Sequence, residues 1–330
     1  MYIIIIFFIL GFFLLIKGAD ILIDGSSSIA KRFGVSGFFI GITIVAFGTS
    51  APEMVISLLA SVKHISAIAL GNIIGANISN TLLVLGISAI ITPLLIKRAT
   101  INKEIPFSLL AVLAVGILAN DFLIDGLEPS GLSRIDGLIL ILFFVIFIYY
   151  TFGISRPDDN IFQKTASEIK ISSKNGVKEL NVWLSFLMIF VGLVGLAVGG
   201  HFIVNNAVKL ARILNISEAM IGLTIVAIGT TLPELAASVT AARKGFSNIA
   251  VGNVIGSNIF NFLWILGLSS VITPIGFNSA LNSDLLYLIL VTILVLFLIY
   301  FGRKNILGRW EGGILLFLYI LYLTFVIMRG

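Results

Sequence analysis

Apolar runs of about 20 residues, each long enough to cross a bilayer as a helix, succeed one another along nearly the whole chain, with short polar segments between them. The pattern predicts ten helical spans, at residues 2–24, 37–61, 67–92, 104–122, 134–152, 182–207, 218–242, 248–272, 283–301 and 309–328. Strand-like alternation is absent, which argues against a membrane barrel. The leading MYIIIIFFILGFFLLI is similar to a secretion signal but lacks a basic leader. Its apolar character continues past Lys17 to Leu22, so it reads as an uncleaved first span. One long stretch, residues 153–181, is charged and without apolar periodicity; it reads as a linker between two halves, residues 1–152 and 182–330. The expected fold is an all-α integral membrane protein.

Composition supports that class. Hydrophobic residues make up 58% of the 330 and charged residues 11%, and the mean hydropathy is +1.14, whereas a soluble domain carries about 25% charged residues. The net charge of +5 raises nucleic acid as a partner. The basic residues lie in loops between spans, however, where positive charge is ordinary, so the bilayer is the expected partner and nucleic acid is not. The chain has no cysteine, which excludes disulfides and thiolate metal sites. No HExxH, phosphate-binding loop or Ser/His/Asp arrangement is present, so neither an enzyme nor a cofactor is expected. Alternate sides of the predicted spans carry fifteen and five basic residues; the richer side includes Lys31, Arg32, Lys97, Arg98, the linker, Arg243 and Lys244. That side is expected to be cytoplasmic, which places the linker inside and both termini outside a plasma membrane.

Within the spans the sequence says the same thing twice. Residues 41–53 read GITIVAFGTSAPE and residues 222–234 GLTIVAIGTTLPE; residues 71–80 read GNIIGANISN and residues 252–261 GNVIGSNIFN, all at an offset of 181. Each half holds five predicted spans, an odd number, so the second copy is expected to enter the membrane upside down relative to the first. Inverted repeats of this kind typify secondary transporters. Each copy places one glutamate, Glu53 or Glu234, beside a proline in apolar sequence. A carboxylate there costs roughly 2.5–3.5 kcal/mol at a helix centre. A kink with a snorkelling glutamate accounts for one copy. Two matched copies, with no Lys or Arg in the motif-bearing spans, point to a shared polar site.

The motif residues suggest what that site holds. In GTSAPE (48–53), Gly48 weakens the helix, while Pro52 has no N–H to give and crowds the Gly48 carbonyl. The helix is expected to break, leaving carbonyls from Ala46 to Thr49 free at the negative end of a half-helix. With the Thr49 and Ser50 hydroxyls and the Glu53 carboxylate they form an all-oxygen set; Ala227, Gly229, Thr230, Thr231 and Glu234 repeat it. Oxygen ligands suit hard cations such as Ca²⁺ and Na⁺. In the following spans, Asn72, Ala76 and Asn80 share one helix face, as do Asn253, Ser257 and Asn261. Gly71, Gly75, Gly252 and Gly256 lie alongside and permit close helix approach, which would bring Asn80 and Asn261 to the broken helices. Two carboxylates about 4 Å apart repel by about 4 kcal/mol at an effective dielectric of about 20. An empty site would therefore take up a proton or a cation, and mutually exclusive cations are a physical basis for exchange.

These paired segments resemble the two alpha-repeats of the sodium/calcium exchanger family, within the cation/calcium antiporter superfamily, over about residues 36–93 and 217–274, in the prokaryotic type without a large regulatory loop. The resemblance implies ten helices in two inverted five-helix repeats, with the second and seventh broken, around a central calcium site flanked by sodium sites. It implies that Glu53 and Glu234 are shared carboxylates and that Thr49 and Thr230 bind calcium through their carbonyls. Ala46 and Ala227 carbonyls, with Ser50 and Thr231 hydroxyls, would serve sodium; Ser257 would be a further sodium ligand, and Asn80 and Asn261 would line the centre. It also implies that the first and sixth spans slide across the remaining bundle, a motion Gly18 and Gly199 would suit. Two positions depart from the family. Ala76 stands where a small hydroxyl residue is usual, which removes a ligand from one sodium site, and Asn261 stands where the potassium-dependent branch often has Asp, which argues against potassium co-transport. The expected function is alternating-access exchange of Na⁺ for Ca²⁺, carried out by a monomer. The alternative is proton-coupled antiport of Ca²⁺ or another divalent cation on the same fold, ranked second because hydroxyls suited to sodium are plentiful. His64, His201 and the acids Asp121, Asp125, Glu128 and Asp136 read as polar loop or interface residues.

Overall fold

The computed structural model describes residues 2–63, 66–98, 100–126, 130–153, 180–214, 227–302 and 305–329. Among these, eight helices are long and apolar enough to cross a membrane, or nine spans if one bent pair counts as a single crossing. In chain order they are α1 (Tyr2–Phe33), the bent pair α2 (Gly37–Thr49) and α3 (Ala51–Val62), α4 (Leu70–Ile91), α5 (Thr100–Leu118) and α6 (Arg134–Gly153). The second half has α7 (Val182–Ile213), the shorter α8 (Leu232–Arg243), α9 (Ser247–Ile272), α10 (Asn282–Phe301) and α11 (Arg309–Arg329). A single helical turn, Ala227–Thr230, precedes α8. The start of the expected 218–242 span, most of the 153–181 linker, His64 and Glu128 lie outside the described residues.

α1 and α7 run well past their expected ends at residues 24 and 207. At the end of α1, the polar residues that closed the sequence pattern find partners on the other half and at the linker's end. Ser28 Oγ meets Ser185 Oγ at 2.9 Å and accepts the Leu180 N–H at 3.0 Å. Asp24 and Asp20 reach Lys244, at the end of α8, at 2.8 and 3.4 Å. With those groups satisfied, nothing stops the backbone ladder from continuing.

The two long helices pack antiparallel against each other. Gly11 faces Gly199 and Ile203, Gly18 faces Gly192 to Leu196, and Gly25 faces Ser185 and Ile189. A Cβ at Gly18 would stand 2.8 Å from the Leu196 nitrogen, so only glycine allows this spacing. Here the structure corrects the sequence reading: Gly18 and Gly199 serve the α1–α7 contact itself, not a sliding contact with the remaining bundle. Without a hydrophobic force between helices in lipid, close backbone approach is what joins them.

α4 and α9 form the centre: 83% and 94% of their most apolar windows are buried, against 17–39% for the other spans. The outer helices turn Ile, Leu and Phe outward, as lipid-facing surfaces do. Contacts across the two halves are reciprocal. Gly86 packs on Gly312, and Gly267 on Gly137, each within 3.1 Å of the partner's carbonyl oxygen for a built Cβ. Four two-residue strands, absent from the all-α expectation, pair in the same way: Leu94–Leu95 with Ile306–Leu307, and Gly131–Leu132 with Ile275–Gly276, both antiparallel. They follow or precede helix ends, where extended backbone must find partners for its exposed groups.

Candidate cation site

The break in the second span occurs where GTSAPE predicts it. α2 and α3 meet at Ser50 with a bend of 49°, and Pro52 stands in the first turn of α3, where a missing N–H is tolerated. The Ala46 carbonyl is not left free, however. It accepts the Ser50 N–H at 3.0 Å, with the Thr49 hydroxyl 3.3 Å away as an alternative donor. Pro52 removes only the donor that would reach Gly48, so the turn closes one residue further than the sequence reading allowed. The second copy closes differently: Thr231 turns both its N–H, at 3.2 Å, and its hydroxyl, at 2.9 Å, to the Ile228 carbonyl. Ala227 begins this turn and Thr230 ends it, partly exposed.

Both glutamates are in the first turn of the helix after the break and are 1% exposed. Ser50 crosses between the halves and donates to Glu234 Oε1 at 3.0 Å. Other buried side-chain oxygens on these and the neighbouring helices also lack partners. Both carboxylate oxygens of Glu53, Glu234 Oε2, Asn80 Oδ1, Asn261 Oδ1 and the Ser257 hydroxyl are buried and have no hydrogen-bond partner. Buried acceptors facing no donor are costly, and a cation among them resolves that cost. Among the described residues no group of three or more His, Cys, Asp or Glu that could hold a metal ion is found; the acids brought to the two breaks are Glu53 and Glu234.

Helix packing brings these groups together across the halves. Asn80 opens a π-helical turn, Asn80–Val84, that packs against α8, the helix of Glu234. Asn261 lies in the matching turn, Phe260–Ile265, packed against α3, the helix of Glu53. Such wide turns inside α-helices recur at functional sites. Gly252 and Gly256 do what the sequence reading expected: they press α9 onto α2, where a Cβ at Gly256 would stand 2.7 Å from the Ile42 backbone. At Gly71 and Gly75, by contrast, no described atom lies within 4 Å of a built Cβ, so the close approach expected there is not seen among the described residues.

Asn253 ties the two broken regions together. Its Oδ1 accepts the Thr49 hydroxyl at 3.1 Å; its Nδ2 donates to Ser238 Oγ at 2.9 Å and to the Glu234 carbonyl at 3.4 Å. The Thr49 hydroxyl is thereby committed to the scaffold. Asn253→Ala should cut the Thr49 link and remove the donor to Ser238 Oγ and the Glu234 carbonyl, at a cost of about 1–3 kcal/mol. The expected result is a lowered unfolding temperature together with weaker Ca²⁺ binding. An unchanged variant would show that this link holds nothing in place.

Sequence reasoning missed Asn77, Asn258 and Thr81, which bond across the centre, and Ser57 and Ser61, buried without partners on the face of Glu53. The signal for the first two was on the page: Asn77 and Asn258 are themselves separated by 181 residues. His201 bonds to Asn205 on an exposed face. Asp121 and Asp136 hold the Gly131 N–H and Ser133, which makes them loop braces.

The geometry has counterparts among known proteins. A family model described as sodium/calcium exchanger protein matches residues 3–153 and 184–328. The chain is 31% identical over 339 residues to the sodium/calcium exchanger MaX1 of Methanosarcina acetivorans, spanning 96% of each chain. It is 35% identical over 317 residues to the inner membrane protein YrbG of Escherichia coli (strain K12), spanning 96% of this chain and 94% of that one. A solved structure of the sodium-calcium exchanger NCX_Mj, soaked with Na⁺ and Ca²⁺, matches with a TM-score of 0.80 at 34% identity over 98% of each chain.

Proposed function

The chain belongs to the sodium/calcium exchanger family, and from that premise we propose that it exchanges Na⁺ for Ca²⁺ across the membrane by alternating access at a central site built on Glu53 and Glu234. One observation carries the site: two buried carboxylates from opposite halves present three oxygens that no donor satisfies. Two negative carboxylates among other hard oxygens suit one divalent ion or successive monovalent ions. Thr49 and Thr230 would add carbonyls, and Ser50, Thr231 and Ser257 hydroxyls, in the roles the resemblance implies, with Asn80 and Asn261 lining the centre. Ala46 would contribute its carbonyl only once its turn loosens, whereas at Ala227 the Thr231 N–H is turned to Ile228 instead.

The proposed architecture is ten spans in two inverted five-helix repeats, residues 1–152 and 182–330, with the seventh span broken like the second. The reciprocal glycine contacts of α1 with α7 support this reading: Gly11 and Gly192, like Gly18 and Gly199, are 181 residues apart and occupy equivalent places on antiparallel helices. The proposed placement is a plasma membrane, with the linker cytoplasmic and both termini outside, from the fifteen-to-five division of basic residues. The proposed working unit is a monomer, because every proposed ligand comes from one chain. The test is ⁴⁵Ca²⁺ flux into proteoliposomes with sodium, potassium and proton gradients imposed separately. Uptake should follow the sodium gradient alone. Flux that follows pH and ignores sodium would assign the proton as the coupling ion, and flux needing no counter-ion would mean a pore.

A further inference from the structure

α4 and α9 meet at mid-length through a run of side-chain hydrogen bonds whose polarity is dictated by backbone carbonyls. Thr81 Oγ1 donates to the Asn77 carbonyl at 2.8 Å. Its proton is thereby used, so its oxygen can only accept, and it takes Asn258 Nδ2 at 2.8 Å. Asn77 Nδ2 in turn donates to the Asn258 carbonyl at 3.1 Å. The other end of that amide must then accept, and it takes Asn261 Nδ2 at 2.8 Å. A carbonyl oxygen only accepts, so none of these amides can be reversed without losing a buried bond. The run ends on Asn261 Oδ1, which is buried, lacks a donor and lies in the turn packed against the helix of Glu53.

The matched half does not repeat this device. At an offset of 181, Thr81 corresponds to Phe262, which has no hydroxyl. The bond matching Asn261 to Asn77 would run from Asn80 Nδ2 to Asn258 Oδ1, but Asn258 Oδ1 has no partner. Thr81 holds the amide nitrogen of Asn258 and leaves the two halves unequal.

We propose that Thr81, Asn77 and Asn258 are positioning residues that hold the Asn261 amide oxygen in one orientation as the pre-set neutral ligand of the cation site, while Asn80 carries no such restraint. The proposal rests on the site reading given above. Pre-orientation matters because a ligand already turned toward the ion loses no freedom on binding. The cage is thus asymmetric in its neutral ligands although its two carboxylates are matched.

The experiment is Ca²⁺ titration of the purified full-length protein in sodium-free detergent solution, followed calorimetrically, with ⁴⁵Ca²⁺ flux in proteoliposomes alongside. Thr81→Val keeps the shape and removes the hydroxyl. It should raise the Ca²⁺ Kd roughly three- to tenfold, with the maximal rate at saturating Ca²⁺ preserved, and Thr81→Ser should restore the affinity. Asn261→Ala should weaken binding more than Asn80→Ala. In an Asn261→Ala background, Thr81→Val should add nothing, because both act through one ligand. Equal impairment of the Val and Ser variants, additive losses, or a larger effect at Asn80 would overturn the proposal. If Thr81→Val does not give monodisperse protein, Thr81→Ala carries the same comparison with the same outcomes. Glu53→Gln separates the two levels: wild-type Ca²⁺ binding there would remove the site itself. Loss of binding at Glu53→Gln with an unaffected Thr81→Val would remove only the positioning role.

Discussion

Glu53→Gln should abolish ⁴⁵Ca²⁺ uptake driven by a sodium gradient in proteoliposomes, and Glu234→Gln should come close to doing so. Either change takes the cage from two negative charges to one. The attraction between a divalent ion and a carboxylate in contact is on the order of 10 kcal/mol at an effective dielectric of about 20. If about 4 kcal/mol of that survives desolvation, Ca²⁺ binds about a thousandfold more weakly. The two positions differ in a way the structure exposes. Glu234 Oε1 already accepts from Ser50, and a glutamine oxygen can keep that bond. Both oxygens of Glu53 lack donors, so a glutamine there brings an N–H₂ group into a surrounding of acceptors suited to a cation. Glu53 should therefore be the less forgiving position. Flux within a few-fold of wild type in either variant would count decisively against this site.

Gly18→Val should cost the protein its fold or its transport. A Cβ at Gly18 would lie 2.8 Å from the Leu196 nitrogen, 2.9 Å from the Gly192 oxygen and 2.9 Å from the Gly195 carbonyl carbon. All three are backbone atoms of α7, so no flexible side chain can yield. Overpacking of this kind typically costs about 1–3 kcal/mol. Here it also levers α1 away from α7 along the contact that runs from Gly11 to Gly25. Gly192→Val should do the same from the other side, since its Cβ would meet Leu22 nitrogen at 2.6 Å. Gly116→Val is the control, because no described atom lies within 4 Å of its Cβ. Fluorescence-detected size exclusion and thermal unfolding read the result. A monodisperse, wild-type-stable Gly18→Val protein with normal flux would show that the α1–α7 contact is looser than the structure has it.

Periodicity carried the sequence reading a long way for a physical reason: in lipid, a span must satisfy its own backbone, so length and apolarity nearly suffice to locate it. The broken second span was legible because Gly48 and Pro52 act on their own turn. The polar end of α1 was not. Ser28, Asp20 and Asp24 look like a terminus until Ser185, Leu180 and Lys244, distant in sequence, are seen to satisfy them. The Ala46 carbonyl was misjudged because the loss of one donor at Pro52 says nothing about which neighbouring N–H turns to the carbonyl next.

What the sequence by itself determined is the class of molecule, the duplication at 181 residues and the identity of the buried acids. These follow from local composition and from a pattern compared with itself. What only the tertiary structure decided is which groups meet: Ser50 with Glu234, Asn253 with Thr49, and Asn261 with Asn77 through a polarity set at Thr81. Hydrogen-bond direction depends on donors and acceptors brought together from helices nearly two hundred residues apart. Two repeats with almost the same letters can therefore present a cation with unequal ligands.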